Sequence, residues 1–98
     1  MSKLHISGDR VSFICPGCNG PHTIIVKPLN ANGWEWNQDS EKPTFTPSIK
    51  VTGYNDEEKI NFCCHSVITD GKIRFEDDCT HWLKGKTVEL PDWDERYG

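Results

Sequence analysis

Ser66-Val67-Ile68-Thr69-Asp70-Gly71-Lys72-Ile73-Arg74-Phe75 reads as two short β-branched strands folded about a two-residue turn. Asp-Gly suits the positive φ angles of a tight hairpin, and apolar residues alternate with polar ones on both sides of it. The turn pairs Thr69 with Lys72, Ile68 with Ile73 and Ser66 with Phe75. Extending the alternation backward puts Ile60, Phe62, Cys64, Ser66 and Ile68 on one face with Ile73 and Phe75. Asn61, Cys63, His65 and Val67 fall on the other face with Arg74 and Glu76. Cys64 is therefore expected to look into the core and His65 away from it, because successive side chains of a strand point to opposite faces.

The composition supports a sheet protein. One Ala and four Leu stand against eight Ile, five Val and seven Thr, so strand formers far outnumber helix formers and an all-helical fold is excluded. Further strands are expected near 10–15, 22–27, 46–52, 59–69, 72–76 and 86–90. Asp78 can cap a short helix near 79–84 that Gly85 ends. With only 35% hydrophobic residues in 98, the chain supports one domain with a thin core, and the tail over 92–98 is expected to be loosely held. The expected class is a small β-rich, zinc-containing domain of antiparallel sheets with one short helix, α+β being the alternative.

Zinc enters through the cysteines. Five Cys is an odd number, which leaves a pure disulfide framework with a spare thiol. Cys15-Pro16-Gly17-Cys18 is a Cys-x-x-Cys knuckle that presents two sulfurs to one ion. A thioredoxin-like pair would open a helix, whereas here Gly20-Pro21 and then a strand follow. The other ligands come from Cys63, Cys64, His65, Cys79 and His81. On a helix starting at Asp78, Cys79 shares the inner face with Leu83, and His81 lies roughly 200° round from Cys79. The expected set is Cys15, Cys18, Cys64 and Cys79, with His65 or His81 as alternative ligands. Cys63 is read as a spare thiol. A Rieske cluster and a zinc deaminase both need spacings this chain lacks.

Eleven basic residues against 15 acidic give a net charge of −4, which makes nucleic acid an improbable partner. The acidic runs at 56–58 and 76–78 are solvated loops or a rim for a basic partner. Trp34 and Trp36 alternate, so in an extended segment both indoles face one way, either as a binding anchor or as a lid over the small core. His65 and His81 are expected opposite the thiolates, with Glu76 across from His65 and Asp78 near His81, as an acid–base pair or as structural side chains. No nucleophile with a base is visible. No apolar run is long enough to span a membrane and the start lacks a signal-peptide core, so a reducing cytoplasm is expected.

The order Cys15-Pro-Gly-Cys18, Trp34-Glu-Trp36-Asn37, Lys42-Pro-Thr-Phe-Thr-Pro-Ser-Ile49, Cys64-His65-Ser66, Asp78-Cys79-Thr-His81 and Val88-Glu-Leu-Pro91 resembles a small family of phage and prophage proteins. Its members often carry the name "ammonia monooxygenase". The resemblance covers about residues 11–93 and implies a phage setting and a metal site. The family's usual glycine after the Trp-x-Trp/Phe-Asn element is Gln38 here. Copper oxygen chemistry would need several imidazoles about an open site, and four His among five Cys form a softer, zinc-type set. Four thiolates also saturate a tetrahedral zinc. The expected function is thus a phage-encoded, zinc-binding accessory protein that binds a host or phage protein, with counter-defence as its purpose. A small zinc-dependent hydrolase using His65 and His81 is the alternative.

Overall fold

The computed structural model describes residues 2–27 and 31–97, and among these it is built of short antiparallel sheets. β1 (Leu4–Ser7), β2 (Arg10–Cys15) and β3 (Gly20–Ile25) form one sheet in chain order. β4 (Glu35–Trp36) and β5 (Phe45–Thr46) make a two-stranded ladder. β6 (Ile49–Asn55), β7 (Ile60–Thr69), β8 (Lys72–Phe75) and β9 (Thr87–Glu89) form the third sheet, again in chain order. The β-rich class and the strands expected in the second half of the chain are those found. β1 lacks a sequence signal of its own and forms by pairing with β2.

The hairpin at Asp70-Gly71 forms in the expected register, with Ser66 opposite Phe75 and Thr69 opposite Lys72. Both turn residues take positive φ, 51° and 80°, the requirement that makes Asp-Gly suitable there. Gln38 also takes a left-handed φ of 63°, a conformation that glycine adopts without strain. Phe13, Phe45 and Phe75 are fully buried and join Leu4, Val11, Ile68, Ile73, Leu83 and Leu90 in one core between the sheets.

The helix expected near 79–84 does not form. Past β8 the chain runs back along β7: Glu76 N–H donates to the His65 carbonyl at 2.8 Å and Thr80 N–H to the Cys63 carbonyl at 2.9 Å. Thr80 Oγ1 accepts the Cys63 N–H at 3.0 Å. Bonds spent on β7 are unavailable to a helix ladder, and 81–85 close as turns instead. The described helix is α1 (Trp93–Tyr97), within the segment expected to be loose; Trp93 N–H donates to the Ser2 carbonyl and its indole stacks on His5 at 5.3 Å. Among the described residues no helix is long and apolar enough to cross a membrane.

Candidate functional site

β7 carries two chemistries back to back. Cys64 is buried on the core side and His65 is half-buried on the outer side, as the alternation requires. On the outer side, His65 Nε2 lies 2.9 Å from Ser48 Oγ. Its Nδ1 lies 3.1 and 3.2 Å from the two carboxylate oxygens of Asp78. The three side chains come from three neighbouring runs of backbone: the residue just before β6, the middle of β7, and the 76–80 segment along the far edge of β7. Lys50 sits directly opposite His65, and Ser48, two residues earlier, falls on the same outer face as its diagonal neighbour.

Each member is held by local contacts. The Trp34 indole N–H donates to the Pro47 carbonyl at 3.0 Å, fixing the backbone that carries Ser48. The Cys79 thiol donates to the His65 carbonyl, and its sulfur accepts the His65 N–H, both at 3.1 Å. Lys50 Nζ lies 3.7 Å from Asp78 Oδ2. Although burial pushes the Asp78 carboxyl up, the hydrogen bond and charge of His65, with Lys50 beside it, hold it below the usual carboxylate range. An ionised carboxylate on Nδ1 fixes the imidazole tautomer that leaves Nε2 free to accept a proton from Ser48.

On the inner side, one ligand atom each from Cys15, Cys18, Cys64 and His81 lies within 4.8 Å of all the others. Cys15 Sγ and Cys64 Sγ are 3.6 Å apart, and Cys64 Sγ is 3.5 Å from His81 Nε2. A tetrahedral zinc with ordinary bond lengths asks for edges of about 3.8 Å between sulfurs and about 3.5 Å between sulfur and nitrogen. The donors present fit such an ion. Cys18 N–H donates to Cys15 Sγ at 3.4 Å, as in a zinc knuckle. The hydrogen bond from Cys64 draws the Cys15 thiol down to about 4 against the opposing effect of burial, and the same bond drives Cys64 upward. Burial and the Cys15 charge raise Cys18 to about 11.

His81, one of the two alternative ligands, and not Cys79, stands with Cys15, Cys18 and Cys64 in this cluster. Its ring packs edge-on against Phe75 at 4.5 Å and over Gly17, where any Cβ would come within 2.3 Å of the imidazole. Glycine at 17 is what lets the ring reach the knuckle. Cys79 is buried but spends its sulfur on the backbone of His65. Without a helix at 79–84, the bend at 81 carries the imidazole inward.

His65 and His81 consequently lie on opposite faces and do not form a pair. Asp78, expected near His81, pairs with His65, and Glu76 bonds Arg74 at 3.1 Å instead of facing His65. Trp34 and Trp36 are half-buried and pack against the core, and Trp82 at 74% exposure is the indole in solvent. Cys63 lies at the outer face with Sγ 4.0 Å from Asp78 Oδ2. Ser48 is the residue that sequence reasoning missed. Its signal was its place two residues before Lys50, on the strand face that also carries His65.

The outer face of β7 thus brings Ser48, His65 and Asp78 together, beside a Cys/His cluster that could hold a metal ion. Over residues 1–76 the chain matches the family described as bacterial ubiquitination-like system serine protease (BubE), and it belongs to that family. Neither a curated protein nor a solved structure matches it significantly.

Proposed function

We propose that this chain is a serine hydrolase acting in a bacterial ubiquitination-like system, with Ser48 as nucleophile, His65 as general base and acid, and Asp78 as the carboxylate that orients it. The observation that carries this reading is the pair of contacts at His65, 2.9 Å to Ser48 Oγ and 3.1 Å to Asp78. The matched family's description as a serine protease agrees with it. In the reaction, Ser48 Oγ attacks an acyl carbonyl while His65 Nε2 takes its proton. The bond from carbon to the leaving nitrogen or oxygen breaks, and His65 returns the proton to that atom. Water, deprotonated by the same imidazole, then hydrolyses the acyl–serine ester and regenerates Ser48. Asp78 remains ionised throughout and stabilises the imidazolium.

The protein partner expected from sequence becomes a substrate in this reading. Cys15, Cys18, Cys64 and His81 would hold zinc as a structural ion, supplying no bound water because the donors fill all four positions. Unpaired thiols in the cluster suit a reducing cytoplasm, and the phage or prophage setting implied by the motif resemblance is retained. The test is labelling with a fluorophosphonate probe, which phosphonylates activated serines with loss of fluoride. Stoichiometric labelling located at Ser48, lost in His65→Ala, is expected. Absence of labelling in the folded, metal-loaded protein would overturn the assignment.

A further inference from the structure

We propose that the substrate is an extended polypeptide segment that adds as an antiparallel strand to the edge of β6 alongside Lys50, Thr52 and Tyr54, with its scissile carbonyl at Ser48. The proposal rests on the serine-hydrolase reading above and assigns the surface through which a substrate reaches the triad.

Backbone parity carries the argument. The main-chain groups of Cys63 and His65 are turned away from β6, since their carbonyls accept from Thr80 N–H and Glu76 N–H and their N–H groups donate to Thr80 Oγ1 and Cys79 Sγ. The ladder between β6 and β7 is therefore made through the alternate residues, Cys64 and Ser66 on β7 with their partners Val51 and Ile49 on β6. It follows that the N–H and C=O groups of Lys50, Thr52 and Tyr54 point out of the sheet. Among the described residues β6 is the terminal strand of its sheet, and these groups face the edge that no other described strand covers. An edge of this kind is a template for another strand.

The edge leads to the triad and has a groove along it. Ser48 stands two residues before Lys50 on the same strand line, and the Trp34 indole N–H lies 3.4 Å from its carbonyl, so the uncovered stretch begins at Lys50. A cavity of about 370 Å³ lies between this edge and β3, lined by Ile24, Ile25 and Trp34 on one side and Ile49 and Val51 on the other. The neighbouring edge, that of β3, is already covered at this point, because Trp34 N–H donates to the Ile25 carbonyl and Lys27 N–H to the Trp34 carbonyl. The open β6 edge can hold a chain in register, and the apolar walls would take small or apolar side chains from alternate positions.

The test compares 4-nitrophenyl acetate with 4-nitrophenyl esters of peptides of one to five residues, using the metal-loaded protein. Turnover that depends on Ser48 is expected for all, with kcat/KM at least tenfold higher for the five-residue ester than for acetate. N-methylation of the peptide backbone is expected to cost roughly two- to tenfold at alternate residues and little at those between. Thr52→Pro removes an outward N–H without touching the ladder to β7, and it should lower the ratio of peptide to acetate turnover. If peptides give no gain over acetate, or N-methylation has no alternation, strand addition is wrong and the hydrolase reading stands. If acetate itself is not turned over by Ser48, the hydrolase reading falls and this proposal falls with it.

Discussion

In the proposed relay Ser48, His65 and Asp78 have different roles and so make different predictions. Ser48→Ala should abolish turnover by at least about 10⁴-fold, and Asp78→Asn should lower it on the order of 10⁴ by stabilising the wrong imidazole tautomer. Circular dichroism should show both variants folded, since Ser48 and Asp78 lie on the outer face, away from the core; retained activity in either variant would remove it from the triad. The metal side separates as cleanly. Cys64→Ser and His81→Ala should lose the ion, whereas Cys79→Ser should keep it, because a hydroxyl can replace the thiol between the N–H and carbonyl of His65. Elemental analysis of the purified variants checks this, and a metal-free Cys79→Ser would reinstate Cys79 as a ligand. The opposed directions of Cys64 and His65 were legible from alternation alone. Ser48 was not, because a serine after proline has no local mark of a nucleophile; only the register of β6 on β7 brings it to the imidazole.

At the level of elements, two backbone positions give opposite expectations. Gln38→Gly should raise stability by about 0.5 to 1 kcal/mol, since the residue already holds a left-handed φ of 63° that costs an L side chain energy. Gly17→Ala should do the reverse to the knuckle: its Cβ would meet the His81 ring, so metal affinity is expected to fall while the hairpin of β7 and β8 persists. Thermal melts and competition with a colorimetric chelator measure the two effects. Local pattern was a sound guide where it agreed with pairing, as at Asp70-Gly71. It failed at 79–84, where a good cap and a terminal glycine argued for a helix but Cys79 and Thr80 bond to β7 instead. Such bonds join residues 14 and 17 positions apart and leave no periodic trace in the chain.

Across the whole molecule, the Cys/His cluster joins the first sheet to the third. Cys15 ends β2, Cys18 follows it, Cys64 lies in β7, and His81 returns after β8. An ion there closes the long loop between Cys18 and Cys64, so its removal should destabilise the protein by as much as about 10 kcal/mol, the scale on which structural zinc supports small domains. The ligands also bracket the triad, Cys64 next to His65 and His81 three residues beyond Asp78. Chelation is accordingly expected to lower the melting temperature and the fluorophosphonate labelling together, and labelling that survives in a metal-stripped sample would show the two centres to be independent.

The back-to-back arrangement on β7 also sets a rule for length. A single residue inserted between Cys64 and His65 would turn one of them to the wrong face unless the strand bulged to absorb it. Two inserted residues would restore both faces but carry the imidazole about 7 Å along the strand, out of reach of Ser48. This stretch of chain therefore tolerates neither odd nor even insertions, whereas the turn over 56–59 beyond it can grow without moving either centre.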